Sequence, residues 1–266
     1  MIDRFGRTIN YLRVSVTDRC NLRCRYCMPA EGVSLVPHSE ILSFEEIEEV
    51  ARAAVSMGVT KVRLTGGEPL VRRGIAGLVR MLAAIEGVGD LAMSTNGTLL
   101  AGLAADLKAA GLMRVNVSLD AVDPGRYAEI TRGGDVGEVL AGIAAAEAAG
   151  LAPIKLNCVV SESSDEPDAR DVARFGRSRG LEVRFIRMMD LVEGRFSVVE
   201  GGTGGNCRSC NRLRLTSDGY IRPCLFSDLR FSVRDLGARE AIRRAVAAKP
   251  PAGTSCTERL MHGIGG

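Results

Sequence analysis

Three cysteines fall within eight residues of the stretch SVTDRCNLRCRYCMPAEG, at Cys20, Cys24 and Cys27. Thiolates this closely spaced can do few things. A disulfide takes cysteines in pairs and a closed zinc site takes four ligands, so three either await a distant partner or leave a metal position open. A second set, Cys207, Cys210 and Cys224, repeats the arrangement as a CxxC followed by a third cysteine after thirteen intervening residues. The histidines, His38 and His262, have no partner at ligand spacing, Cys158 reads as a buried inert thiol, and Cys256 as a surface or spare one. A 4Fe-4S cluster held by three thiolates fits the first set better than zinc, because it leaves one iron free for an external ligand. For the second set a four-ligand zinc ribbon is the competing reading, with Cys256 as the only nearby candidate to complete it.

The elements that must position these residues alternate. LRVSVT (12–17), KVRLTG, LAMSTN, RVNVSLD, IKLNCVV and EVRFIRMM read as six strands, separated by helical patterns such as 43–57 and 167–179. That order predicts a parallel α/β domain ending near residue 190. Ser43 with Glu46 forms a capping-box pattern, and Asp123-Pro124 opens a later helix. Residues 191–206 read as a Gly-rich linker, and 207–266 as a small C-terminal region with a hairpin turning at Asp218-Gly219.

Within the strands one parity is polar: Arg13, Ser15, Thr17; Lys61, Arg63, Thr65; Asn116, Ser118, Asp120; Lys155, Asn157; Arg184. The other parity is apolar. Helices covering a curved sheet take the apolar face, so the polar set must line a lumen. With Asp120 the only carboxylate on that face, the lumen predicts a multiply charged anion such as a polyphosphate as its ligand.

Composition excludes other classes. The 266 residues carry a net charge of +3, no apolar run approaches a membrane span, and the start lacks a secretory core, which predicts a cytoplasmic protein with reduced cysteines. Aromatic residues make up only 4% with no Trp, which gives a nucleic-acid binder no stacking platform.

CxxxCxxC with Tyr26 before its last cysteine, followed by Gly66-Gly67-Glu68-Pro69, resembles the radical S-adenosylmethionine superfamily. With the second triplet, NRLRLTSDGYIRPCLF and the terminal Gly265 and Gly266, the chain is similar to the GTP 3′,8-cyclase family of molybdenum-cofactor biosynthesis. That resemblance implies a partial (β/α)6 barrel with two 4Fe-4S clusters, on Cys20, Cys24, Cys27 and on Cys207, Cys210, Cys224. It places Tyr26, Gly66, Gly67, Glu68, Ser94, Asn96, Ser118 and Met189 around S-adenosylmethionine. It places Arg13, Lys61, Arg63, Lys155, Arg184, Arg212 and Arg214 on GTP, and the double glycine beside the substrate. The adenosyl radical then removes the ribose 3′ hydrogen, and the carbon radical closes onto C8 of guanine. The clusters must face each other across one cavity. An electron donor is implied, and the resemblance leaves room for a homodimer. The chain departs from the family in the short run 191–206, and in Arg187 and Asp190, where the family has Glu and usually Pro. A relative acting on another substrate, such as a peptide, and an inactive shortened cyclase are the alternatives.

Overall fold

The computed structural model describes residues 1–257 and residue 264. Its centre is one nine-stranded sheet. The six expected strands are β1 (Tyr11–Ser15), β2 (Lys61–Thr65), β3 (Asp90–Thr95), β4 (Arg114–Ser118), β5 (Lys155–Val160) and β6 (Glu182–Arg187), all parallel and adjacent in chain order. Between them run α1 (Phe44–Ser56), α2 (Ile75–Ala83), α3 (Ala104–Ala109), α4 (Pro124–Thr131), α5 (Val136–Ala148) and α6 (Pro167–Ser178). Ser43 caps α1 in a reciprocal capping box with Glu46, and Asp123 caps α4 with Pro124 in its first turn, as their sequences dictate.

The apolar parity packs under these helices. Leu12, Val14, Val62, Leu64, Leu91, Met93, Val115, Val117, Leu156 and Cys158 are all buried in the main core. Cys158 is therefore the inert core thiol expected of it. Cys256 is not a surface thiol: it is 4% exposed, in a small separate core with Leu191, Leu225, Phe226 and Ile264.

The C-terminal region does not stand apart from the barrel. β7 (Arg212–Leu215) pairs in parallel with β1, β8 (Tyr220–Arg222) turns back through Gly219, and β9 (Phe231–Ser232) follows, so the sheet runs across the boundary placed near residue 190. α7 (Val233–Leu236) and α8 (Ala238–Ala247) complete the chain's helices among the described residues, α8 packing on α1.

The Gly-rich run is a packed strap rather than a loose linker. Phe185 and Glu200 exchange backbone hydrogen bonds at 3.1 Å, as do Asp190 and Arg195 at 2.9 Å. The Asp190 carboxylate also accepts from the amides of Val192 and Glu193 at 3.0 and 2.9 Å, so this residue caps the turn that closes the strap. At Gly194 (φ 67°) a Cβ would lie 1.6 Å from the Thr254 carbonyl oxygen, so only glycine lets the strap meet the segment after α8.

Candidate active site

The polar parity lines a cavity of about 530 Å³. Strand register explains its charge. Arg63, Arg13 and Arg214 are direct neighbours on β2, β1 and β7, and two residues earlier Lys61, Tyr11 and Arg212 form a second row. Neighbouring strands are about 4.8 Å apart, so three guanidiniums stand abreast in one row. Burial pushes the pKa values of Arg13, Arg63 and Arg214 down to about 10, and cation repulsion adds to it: Arg212 and Arg214 on Arg13, Arg13 and Arg114 on Arg63, Arg212 on Arg214. Arg63 is 7% exposed and its Nε has no hydrogen-bond partner. Its guanidinium carbon lies 5.6 Å from the Tyr11 ring centre, and that of Arg212 lies 5.7 Å from the same ring. All seven cations assigned to the substrate, Arg13, Lys61, Arg63, Lys155, Arg184, Arg212 and Arg214, line this cavity.

The cavity is less uniformly cationic than the sequence predicts. Asp120 is not its carboxylate: it lies past β4, accepting from the Tyr26 hydroxyl and the Val159 amide at 2.8 Å each, and burial pushes its pKa up to about 6. The neutralising carboxylates are Glu182, which binds Lys155 at 2.5 Å and Arg184 at 2.7 Å, and Asp90, which holds Arg114 through bonds of 2.8 and 2.6 Å. Tyr11, Asp90, Arg114 and Lys249 also line the cavity and carry no sequence motif. Tyr11 was legible as the residue two before Arg13 on the same face.

Cys207, Cys210 and Cys224 line this cavity as well. Cys207 and Cys210 precede β7 and Cys224 follows the antiparallel β8, so both arms of the hairpin deliver cysteines to the end where the parallel strands begin. Burial pushes the Cys210 thiol up, yet Lys249, the Arg212 amide and the Arg212 guanidinium outweigh it and hold it below the ordinary value.

The first triplet sits at the opposite end, where β1 finishes. The chain past β1 and past β2 continues as a short ladder: the Gly67 amide donates to the Thr17 carbonyl and the Glu68 amide to the Arg19 carbonyl, each at 2.8 Å. A Cβ on Gly67 would lie 2.3 Å from the Arg19 carbonyl oxygen, so the close approach that requires glycine is to the cysteine loop itself. Glu68 is 1% exposed and accepts from Leu70 N (3.0 Å), Thr95 Oγ1 (2.7 Å) and Asn96 N (2.6 Å), joining the ends of β2 and β3. Burial pushes its pKa up to about 7 against those three donors. From the other side Arg132, the C-cap of α4 in a left-handed conformation, donates to the Arg23 and Met28 carbonyls at 2.7 Å each. Ser94 and Ser118 lie at the ends of β3 and β4, and Asn96 one residue beyond β3.

Cys20, Cys24 and Cys27 are half-buried, and burial raises all three thiols, Cys24 to about 12 and Cys27 to about 11. The Cys20 thiolate raises both of the others, so the three lie within one another's electrostatic reach, a donor set that a cationic iron cluster would relieve. Among the described residues no three Cys, His, Asp or Glu side chains converge as they would on a single ion.

Tyr26 lines a second cavity of about 900 Å³, and Arg187 at the end of β6, Met189, and Phe196 and Ser197 of the strap line both cavities, so the two adjoin there. Gly265 and Gly266 lie outside the described residues.

The sequence matches the family model of the Radical SAM superfamily over residues 14–176 and that of Molybdenum Cofactor Synthesis C over residues 177–253. It is 42% identical to a GTP 3′,8-cyclase of Geobacter sulfurreducens, with 94% of this chain and 93% of the relative aligned, and 43% identical to one of Moorella thermoacetica, with 94% of each. A third, of Heliobacterium modesticaldum, is 42% identical with all of both chains covered. That alignment is 328 positions long against 266 residues here, so about 60 positions are filled by the relative alone, in keeping with the short strap. Among solved structures, Streptococcus suis SuiB bound to its precursor peptide SuiA superposes with a TM-score of 0.69 at 14% identity, covering 93% of this chain and 66% of that one. Native anSMEcpe with bound AdoMet gives 0.65 at 15%, covering 91% and 81%. These likenesses establish the partial-barrel fold. The chain belongs to the radical SAM superfamily and, within it, to the GTP 3′,8-cyclase family.

Proposed function

We propose that the protein converts GTP to 3′,8-cyclo-7,8-dihydro-GTP in molybdenum-cofactor biosynthesis, and so acts as a lyase. The observation that carries this reading is the cavity in which seven cations and three cysteines meet, in a chain of the cyclase family. Cys20, Cys24 and Cys27 hold one 4Fe-4S cluster, and Cys207, Cys210 and Cys224 hold a second beside the guanine. The first cluster with bound S-adenosylmethionine supplies the electron and the hydrogen-abstracting 5′-deoxyadenosyl group; an external electron donor in the cytoplasm reloads it.

The chain's own residues do the rest. Tyr26, fixed by Asp120, together with Gly66, Gly67, Glu68, Ser94, Asn96, Ser118 and Met189, surrounds the cofactor at the strand ends. The rows Lys61–Arg212 and Arg63–Arg13–Arg214 take the triphosphate, helped by Lys155 and Arg184. About four phosphate charges offset guanidiniums that burial and mutual repulsion have already destabilised, so binding is strongest where the site is most strained.

The substrate loses its 3′ hydrogen and regains one hydrogen equivalent, so the product is an isomer of GTP. Anaerobic incubation of the reconstituted protein with S-adenosylmethionine, reductant and 3′-deuterated GTP tests the assignment by chromatography and mass spectrometry. The expected result is deuterium in 5′-deoxyadenosine and a new species at the mass of GTP less that label. Cofactor cleavage without deuterium transfer overturns it.

A further inference from the structure

Two buried cations bracket the second triplet, and neither belongs to a sequence motif. Arg7 donates to the carbonyls of Cys207 (2.8 Å), Pro250 (2.6 Å) and Pro251 (3.1 Å), and Asp3 neutralises it at 2.6 Å. Lys249 is 2% exposed, and its Nζ donates to the carbonyls of Arg212 (2.7 Å) and Pro223 (2.6 Å). Those carbonyls lie two residues after Cys210 and one before Cys224. Among the described residues no carboxylate pairs with Lys249; the ionisable groups that act on it most are the Cys210 and Cys224 thiols and the Arg7 guanidinium. A buried ammonium without an anion is strongly unfavourable, yet two carbonyls fix this one in place between both cysteine-bearing segments.

We infer that Lys249 is a positioning residue for the second cluster, whose negative charge it balances and whose reduction potential its ammonium raises. The inference rests on the two-cluster reading. Reduction adds negative charge to a thiolate-bound cluster, and a fixed positive charge a few ångströms away favours the reduced form. The first triplet faces Glu68 and Asp120 instead, so the two sites have opposite electrostatic surroundings.

The test is an anaerobic reductive titration of the reconstituted full chain, followed by electron paramagnetic resonance, for wild type, Lys249→Met and Lys249→Arg. Wild-type iron tests the underlying reading by itself: about eight per chain supports two clusters, and about four removes the reading and the inference together. With two clusters present, Lys249→Met makes reduction of the second about tenfold less favourable, which is about 59 mV for one electron. The first cluster stays where it was, and Lys249→Arg restores most of the shift. An unchanged midpoint in Lys249→Met with full iron overturns the inference. If Lys249→Met loses half its iron, retention by Lys249→Arg supports the charge, and loss in both overturns it in favour of shape.

Discussion

Arg63→Met should make the protein more stable and worse at binding its substrate. Burial is the main cause of the fall in the Arg63 pKa from the ordinary guanidinium value to about 10, with Arg13, Arg114 and Arg184 adding repulsion against the attraction of Tyr11. A fall of that size corresponds to roughly 3 kcal/mol at about 1.4 kcal/mol per unit. The folded-state pKa lies below the unfolded one, so below pH 10 both states are protonated and the whole cost is present; it fades only as the pH rises through the folded and then the unfolded value. Losing the contact with Tyr11 returns about 0.5–1 kcal/mol. The net gain of about 2 kcal/mol should raise the Tm of the GTP-free protein by roughly 4–8 °C. Removing one charge-assisted phosphate contact costs about 1.5–3 kcal/mol, so GTP affinity should fall roughly ten- to hundredfold. Guanosine affinity should change little. Calorimetry with GTP, GDP and guanosine, alongside melting curves without ligand, checks both halves. A lower Tm, an unchanged GTP affinity, or an equal loss for guanosine would refute the placement of Arg63 as a strained cation facing phosphate.

Glu182→Gln should tighten GTP binding severalfold, because the carboxylate competes with phosphate for Lys155 and Arg184. Burial raises the Glu182 pKa, but bonds from those two cations outweigh it and hold it below the ordinary value. Its share of stability is therefore present above the unfolded carboxylate pKa and lost as the pH falls through the lower folded one, a loss that the variant lacks. Weaker GTP binding by the variant would show that Glu182 orients the cations rather than competing for them. Replacing Cys207, Cys210 and Cys224 together by Ala should take iron from about eight to about four per chain and abolish the cyclised product while leaving S-adenosylmethionine cleavage intact. Unchanged iron would reject the second cluster.

Periodicity made the lumen legible because a strand has only two faces: once Leu12, Val14, Val62 and Leu64 are given to the helices, Arg13, Lys61 and Arg63 have nowhere else to point. Register was not legible. That Arg63, Arg13 and Arg214 stand abreast depends on β7 adding to β1, a pairing across about 200 residues that no local pattern encodes. The counter-charges were missed for a related reason: Asp90 and Glu182 open their strands, where a sequence pattern reads a charged residue as a solvated end. Lys249, Arg7 and Arg132 act by donating to backbone carbonyls of distant segments, and a carbonyl leaves no mark in a sequence. The strap was misread because glycines that permit close packing look the same as glycines that permit mobility.

The position of the two triplets along the strands decides how the molecule can work. Parallel strands five or six residues long span roughly 16–20 Å, with the first triplet beyond their carboxyl ends and the second at their amino ends. Neither triplet can reach the other, so a substrate linking them must be elongated and held along the lumen. The cation rows sit at the amino-end half, next to Cys207, Cys210 and Cys224. The proposed function puts phosphate there, the base near the second triplet and the ribose toward the adjoining cavity, which Tyr26 and Met189 line. Because Arg187, Met189, Phe196 and Ser197 line both cavities, these residues flank the place where cofactor and ribose would have to meet. The strap that carries two of these residues is fixed by its packing against Val183, Phe185 and Thr254.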